Sequence, residues 1–258
     1  LASAPARLLH RVTTKPTTRT ITISSAVSRW TVEQLRVDAQ TVRVIRYGLE
    51  PTPFDTSDRT TARTELGIDT DTPMLLCPAR LDPQKRHDLL LRSFARMRAK
   101  VPGALLLCAG ETQLGGTTYR AGLQHLSVEL GIDNAVRWLG VRSDIPSLMA
   151  AADIIVLASD WEGLGLVLME AAMARRAVVA TSVGGVPEIV KHDKTGILVQ
   201  PNNVEALASA LISLFSNHSR RSRMASTAGK YARRVFDLNV MQDTTTALYG
   251  ELLDRRPA

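Results

Sequence analysis

An α/β protein built on a doubly wound parallel sheet is what this sequence predicts, and three observations carry the prediction. Apolar runs of strand length alternate with stretches of helical spacing along the chain. Five successive apolar runs end in glycine or charge, at the edge where an open parallel sheet binds ligands. No internal repeat or low-complexity tract breaks the alternation.

The strands are expected at 20–24, 42–46, 74–79, 104–109, 135–139, 154–158, 177–181 and 196–199. Helical spacing falls at 87–100, 119–130, 145–151, 166–174 and 204–215, and a further helix is expected within 24–37. Strands joined in this way through helices imply a parallel, doubly wound sheet. Glu50-Pro-Thr-Pro-Phe-Asp-Thr-Ser-Asp58, rich in proline and small polar residues, reads as a linker. From Arg220 the chain reads as basic and all-helical, ending near Leu253.

At 258 residues and 45% hydrophobic, the chain is one large domain, or one domain plus part of another. Its net charge of +7 is uneven. Residues 1–50 hold eight basic and three acidic side chains, and residues 219–258 hold eight and four. Basic flanks around a nearly neutral middle suit an anionic surface, and peripheral contact with an anionic membrane is the partner they suggest. Aromatic residues are only 4% and do not interleave with the basic ones, so nucleic acid is not expected as a partner. Cys77 and Cys108 sit inside apolar runs and read as core residues; a reducing, cytoplasmic setting fits them. No uncharged run approaches the length of a membrane span. The opening, Leu1–Thr20, is rich in Arg and Thr and lacks acid, as transit peptides do, but a start without Met is read instead as a start within a longer protein.

The chemistry is carried by Ser159-Asp-Trp-Glu-Gly-Leu-Gly-Leu-Val-Leu-Met-Glu170, in which Glu162 and Glu170 are separated by seven residues. A strand precedes this segment and a helix follows. Gly163 and Gly165 allow close backbone approach, and the new helix offers unpaired amides to an anion. One carboxylate lies before the helix and one about two turns along it, roughly 12 Å apart along the axis. That span suits a ligand with hydroxyls at both ends and phosphates between, which is the layout of a nucleotide diphosphate sugar. Acidic residues near a helix start are favoured by the dipole alone, so the reading rests on the neighbouring strand ends: Arg80 and Lys85, Gly110-Glu111, Gly140-Val-Arg142 and Gly184-Gly185. Asp69-Thr-Asp71 precedes a strand and reads as a turn, not a metal site. His87 is expected at a helix start or on the surface, and Trp161 packed beside its loop. His10, His125, His192 and His218 lack metal-ligand spacing.

Ala79-Arg-Leu-Asp-Pro-Gln-Lys85, Leu139-Gly-Val-Arg-Ser-Asp144, Ser159–Ala171 and Val179-Ala-Thr-Ser-Val-Gly-Gly-Val-Pro-Glu-Ile-Val190, in this order, resemble the retaining glycosyltransferases of the GT-B fold, in the large family 4 group. The resemblance covers Thr20 to the C-terminus. It implies a Rossmann-like C-terminal lobe plus a remnant of the N-terminal one. The chain would divide into an acceptor-lobe remnant at 1–50, a linker at 51–58, a donor-binding domain at 59–235 and a helix crossing back at 236–258.

The activity implied is transfer of a hexose from a UDP-, GDP- or ADP-sugar to a glycan or lipid-linked acceptor, with retention and without metal or other cofactor. The resemblance gives Glu162, Arg80 and Lys85 catalytic roles. Arg80 and Lys85 would hold the departing diphosphate, as would the backbone of Gly165, Leu166 and Val167, with Gly163 and Gly110 giving it room. Glu162 would bind hydroxyls of the transferred sugar and Glu170 those of the ribose, while Val141 and Arg142 would face the base. The chain departs from the family at Ala79, Arg86 and Arg175, where Gly is usual, and at Ala177, where Pro is usual. With most of the acceptor lobe absent, the chain alone is expected to bind donor without transferring sugar. The rival readings are a non-catalytic nucleotide-sugar-binding module and a nucleotide-sugar epimerase.

Overall fold

The computed structural model describes residues 18–112 and 117–254. Residues 1–17 of the transit-peptide-like stretch, His10 among them, and the last four residues lie outside them. The chain separates into two compact units, Leu1–Leu49 with Val235–Ala258, and Glu50–Arg234.

In the smaller unit, β1 (Thr20–Thr22) and β2 (Val42–Val44) pair in parallel, joined through α1 (Ser25–Leu35). Ser24, expected both to end a strand and to open a helix, caps α1: its hydroxyl accepts from the Val27 amide at 3.0 Å. Leu35, Val37 and Val42 form a small core, with Trp30 and Val32 packed against it. Gly48 lies so near the chain around Asp237 that a Cβ would come within 2.6 Å of the Asp237 carbonyl oxygen, so only glycine fits there.

The larger unit opens with two helices, α2 (Thr52–Asp55) and α3 (Arg59–Glu65). Its sheet then runs β3 (Met74–Pro78), β4 (Leu105–Ala109), β5 (Val136–Gly140), β6 (Ile154–Leu157), β7 (Ala177–Thr181) and β8 (Ile197–Val199). The helices between are α4 (His87–Arg98), α5 (Thr117–Glu129), α6 (Ile145–Ala151), α7 (Leu166–Met173) and α8 (Val186–Ile189). Three more follow: α9 (Val204–Ser216), α10 (His218–Val235) and, in the smaller unit, α11 (Leu238–Asp254). All six strands are parallel, in the spatial order β5-β4-β3-β6-β7-β8. Every predicted strand of this sheet is present. The order reverses between β3 and β6, so successive right-handed crossovers place helices on both faces. Every residue of β3, β6 and β7 is buried, and each Leu, Ile or Val there contributes about 1.5–3 kcal/mol by leaving water.

The stretch 51–58 belongs to the larger unit and contains α2, which packs on α6 and α7. Asp58 caps α3, its carboxylate accepting from the Thr61 amide at 2.7 Å. Asp69-Thr-Asp71 forms the expected turn before β3, and the Asp69 and Thr70 carbonyls accept from the buried Arg63 guanidinium at 2.6 and 2.9 Å. Cys77 and Cys108 are free and buried in adjacent strands.

Candidate functional site

The two loops that leave β3 and β6 meet where the strand order reverses. After β3 the chain turns through Pro83–Lys85 and passes Arg86 in the left-handed region, φ 50°. A residue with a Cβ is strained there, so glycine would fit this position more easily than arginine. The Arg86 side chain holds the turn, with Nη1 2.9 Å from Asp160 and Nε 3.0 Å from Asp88. Backbone and amide bonds join the loops as well. The Asp160 amide donates to the Gln84 carbonyl at 2.8 Å, and Gln84 Nε2 donates to the Trp161 carbonyl at 2.8 Å.

Lys85 Nζ lies 2.5 Å from Glu162 Oε1, both side chains largely buried. Ser159 Oγ donates to the same oxygen at 2.6 Å, and Thr181 Oγ1 donates to the Ser159 carbonyl at 2.6 Å. Oε2 of Glu162 has no partner among the described residues. Gly184 fixes the backbone beneath: it has φ 50°, and a Cβ on it would come within 1.9 Å of the Glu162 carbonyl oxygen. The Gly185 amide donates to that carbonyl at 3.1 Å. In the sequence Gly184 stands out only as a strand-end glycine, and nothing singles out the hydroxyls of Ser159 and Thr181. Their signal was position alone, at the carboxyl ends of β6 and β7.

Beside this pair is a cleft of about 470 Å³, lined by Arg80, Gly110, Val141, Arg142, Leu166, Val167 and Glu170, with Glu111, Thr112 and Ile145. Lys85, Glu162, Gly163 and Gly165 lie outside its lining, in the loops that lead to it. Gly165 takes φ 90° to start α7, and no side chain caps the helix, so its first turn at Leu166 and Val167 opens on the cleft. Gly110 is required sterically, because a Cβ there would sit 2.2 Å from the Ala79 carbonyl oxygen. Its amide donates to the Gly140 carbonyl at 2.8 Å, beside a register shift between β4 and β5.

Arg80 Nη2 is 3.3 Å from Asp82, and the side chain is half exposed. Arg142 forms a bidentate pair with Asp144 at 2.7 and 2.6 Å, which raises the guanidinium pKa and lowers that of the carboxyl. Val141 is exposed. Glu170 has no hydrogen bond or ion pair to its carboxylate among the described residues, and burial raises its pKa.

Two further expectations change. His87 does start α4, but it is buried rather than on the surface, with Nε2 3.7 Å from Cys77 Sγ. The first turn of α4 faces β3, and burial pushes the imidazole down to about 4 and the Cys77 thiol up to about 12. Trp161 does not pack beside its loop. Its side chain is largely exposed, while its backbone carbonyl accepts from Gln84. Among the described residues no cluster of His, Cys, Asp or Glu has the geometry of a metal site, and no helix is long and apolar enough to cross a membrane.

A doubly wound nucleotide-type lobe, with a cationic and a carboxylate loop meeting at its topological switch point, is the class that this fold and site define. Residues 58–231 match the family described as Glycosyl transferases group 1, and the chain belongs to it. The D-inositol 3-phosphate glycosyltransferase of Stackebrandtia nassauensis is 31% identical over 242 residues, 92% of this chain and 54% of that protein. Its counterpart in Corynebacterium glutamicum is 34% identical over 206 residues, 76% of this chain and 48% of that protein. The chain thus spans about half the length of the relatives it matches.

Among solved structures, Anabaena HepE in complex with UDP and glucose superposes with a TM-score of 0.87 at 27% identity, covering 95% of this chain and 67% of that one. A Rickettsia africae glycosyltransferase superposes at 0.89 with 23% identity, covering 99% and 69%, and speaks for the fold alone. The fold is the Rossmann-like α/β lobe of the GT-B glycosyltransferases.

Proposed function

We propose that this chain is the donor-binding part of a glycosyltransferase that moves a hexose from a nucleotide diphosphate sugar to a glycan or lipid-linked acceptor, with retention and without a metal. The observation that carries the reading is the pairing of Lys85 with Glu162 beside a cleft that holds the unpartnered Glu170 carboxylate. HepE was solved with UDP and glucose, which makes a UDP-hexose the first donor to test.

In this reading the diphosphate sits across the first turn of α7. Arg80, Lys85 and the amides of Gly165, Leu166 and Val167 stabilise the charge that develops as the bond to the sugar breaks. Glu162 presents Oε2 to sugar hydroxyls while Oε1 stays committed to Lys85 and Ser159. Glu170 accepts from the ribose hydroxyls, and the backbone at Val141 and Arg142 faces the base. Gly110 and Gly163 leave room for the ligand.

Titration of the protein with UDP and UDP-hexose, for the native chain and for Glu162→Gln, tests this. The substitution should leave UDP affinity unchanged and abolish the preference for UDP-hexose over UDP. Loss of UDP affinity with sugar discrimination retained would reverse the placement of the ligand. Retention is checked by the anomeric configuration of the product, and metal independence by turnover in chelator.

A further inference from the structure

A depression of about 740 Å³ opens at the opposite edge of the sheet, at the amino-terminal ends of β3, β6 and β7. Its lining is electrostatically lopsided. Arg59, Lys100, Arg175, Arg176 and Arg221 face Asp71 and Asp153.

Asp153 is already fully engaged. Its Oδ1 accepts from Arg59 Nη2 at 2.8 Å; its Oδ2 accepts from Arg63 Nη2 at 3.1 Å and from the Met74 amide at 2.9 Å. Arg221 Nη2 stands 3.8 Å away. One carboxylate therefore serves three guanidiniums, and Arg176 feels its charge without bonding to it. Among the described residues Arg176 makes no ion pair. Its Nη1 reaches only the Ala152 carbonyl, at 3.4 Å, and its Nε is buried without a hydrogen-bond partner. Burial first, then the charges of Arg59 and Arg63, outweigh the attraction of Asp153 and lower its pKa to about 10, so Asp153 does not fully balance it. Lys100 likewise has no ion pair among the described residues.

The geometry points to an anion site in this depression that takes a phosphate group through Arg176, Arg221 and Lys100. Phosphate matches the fork of a guanidinium and satisfies several donors at once. A pocket of this volume has room for an organic body beside the phosphate, so the group is carried either by a small phosphorylated molecule or by a lipid headgroup. The site lies wholly within the unit Glu50–Arg234, on the sheet edge away from the donor loops.

The test uses the full chain, with glycerol 3-phosphate as the soluble probe and sodium chloride at equal ionic strength as the control. Thermal melting and calorimetry should show saturable binding that chloride does not reproduce. Arg176→Met and Lys100→Glu should each weaken it at least tenfold while leaving UDP affinity unchanged. Lys100→Glu, at a side chain without a partner, keeps the test alive should Arg176→Met fail to fold. In parallel, sedimentation with phosphatidic acid vesicles assigns the source. Binding to vesicles that free phosphate competes away identifies a headgroup, and binding of the soluble probe alone identifies a small molecule. A response no larger than that to chloride, or one that survives both substitutions, overturns the assignment.

Discussion

Lys85 Nζ and Glu162 Oε1 lie 2.5 Å apart although their residues stand 77 positions apart in the chain. The pair closes the gap between the β3 and β6 loops, and it sets the charge of the candidate site. Removing the ammonium leaves Glu162 with the Ser159 hydroxyl alone. Lys85→Ala should therefore raise the dissociation constant for UDP roughly ten- to hundredfold, as loss of a charged hydrogen bond worth about 1.5–3 kcal/mol implies. Affinity for uridine should barely change. Isothermal titration with both ligands checks this, and equal losses would remove Lys85 from the phosphate-binding role.

Burial disfavours the ionised form of Glu170 and raises its pKa above the ordinary 4.5, so ionising it costs folding free energy. Because the folded value is the higher one, that contribution favours folding below pH 4.5 and is lost as the pH rises through the folded value. Glu170→Gln should melt at a higher temperature than the native chain at pH 7, yet bind UDP more weakly. Melting curves at pH 4 and pH 7, with and without UDP, separate the two effects. A variant less stable at pH 7 and normal in UDP binding would show the carboxylate to be structural.

His87 gives an opposite dependence. Its folded pKa is depressed from 6.5 to about 4 by burial, so its contribution is fully present above pH 6.5 and disappears as the pH falls toward 4. The difference corresponds to about 3 kcal/mol. Denaturant unfolding between pH 7 and pH 4 should show this loss, and His87→Phe should flatten the profile over that window whatever its effect at pH 7.

Arg86 combines a left-handed backbone with useful ion pairs. Both Arg86→Ala and Arg86→Gly remove the pairs, but only glycine relieves the backbone. Glycine should be the more stable variant by about 1 kcal/mol. Equal stabilities in parallel chemical denaturation would mean that the turn shifts to accommodate a side chain.

The sheet could be read from the sequence because its strands are buried on both faces. Runs such as Met74-Leu-Leu-Cys-Pro78 and Ile154-Ile-Val-Leu157 carry no polar alternation to confuse them with surface strands. The candidate site could be located to the carboxyl strand ends for the same reason. Short helices were missed: Arg59–Glu65 has little apolar periodicity and is held by the Asp58 cap and by the Arg63 bonds to the turn before β3. The cluster around Asp153 is not legible in the sequence because Arg59 and Arg63 on α3, Asp153 and Arg221 come from three distant segments that only the fold unites. The burial of His87 and the exposure of Trp161 depend on how two loops turn, which residue type alone does not fix.

The meeting of β3 and β6 at the centre of the sheet also sets a timetable. β3 pairs with β4 across a short connection, but its other edge waits for a strand made almost 80 residues later. Closing so long a loop costs chain entropy before any contact repays it. The β3–β4–β5 half can assemble from near neighbours as it leaves the ribosome, while Lys85 stays without Glu162 until β6 and its loop arrive. The candidate site is thus a late product of folding, and a nascent chain stopped before β6 would hold half of this sheet and no Glu162 for its lysine.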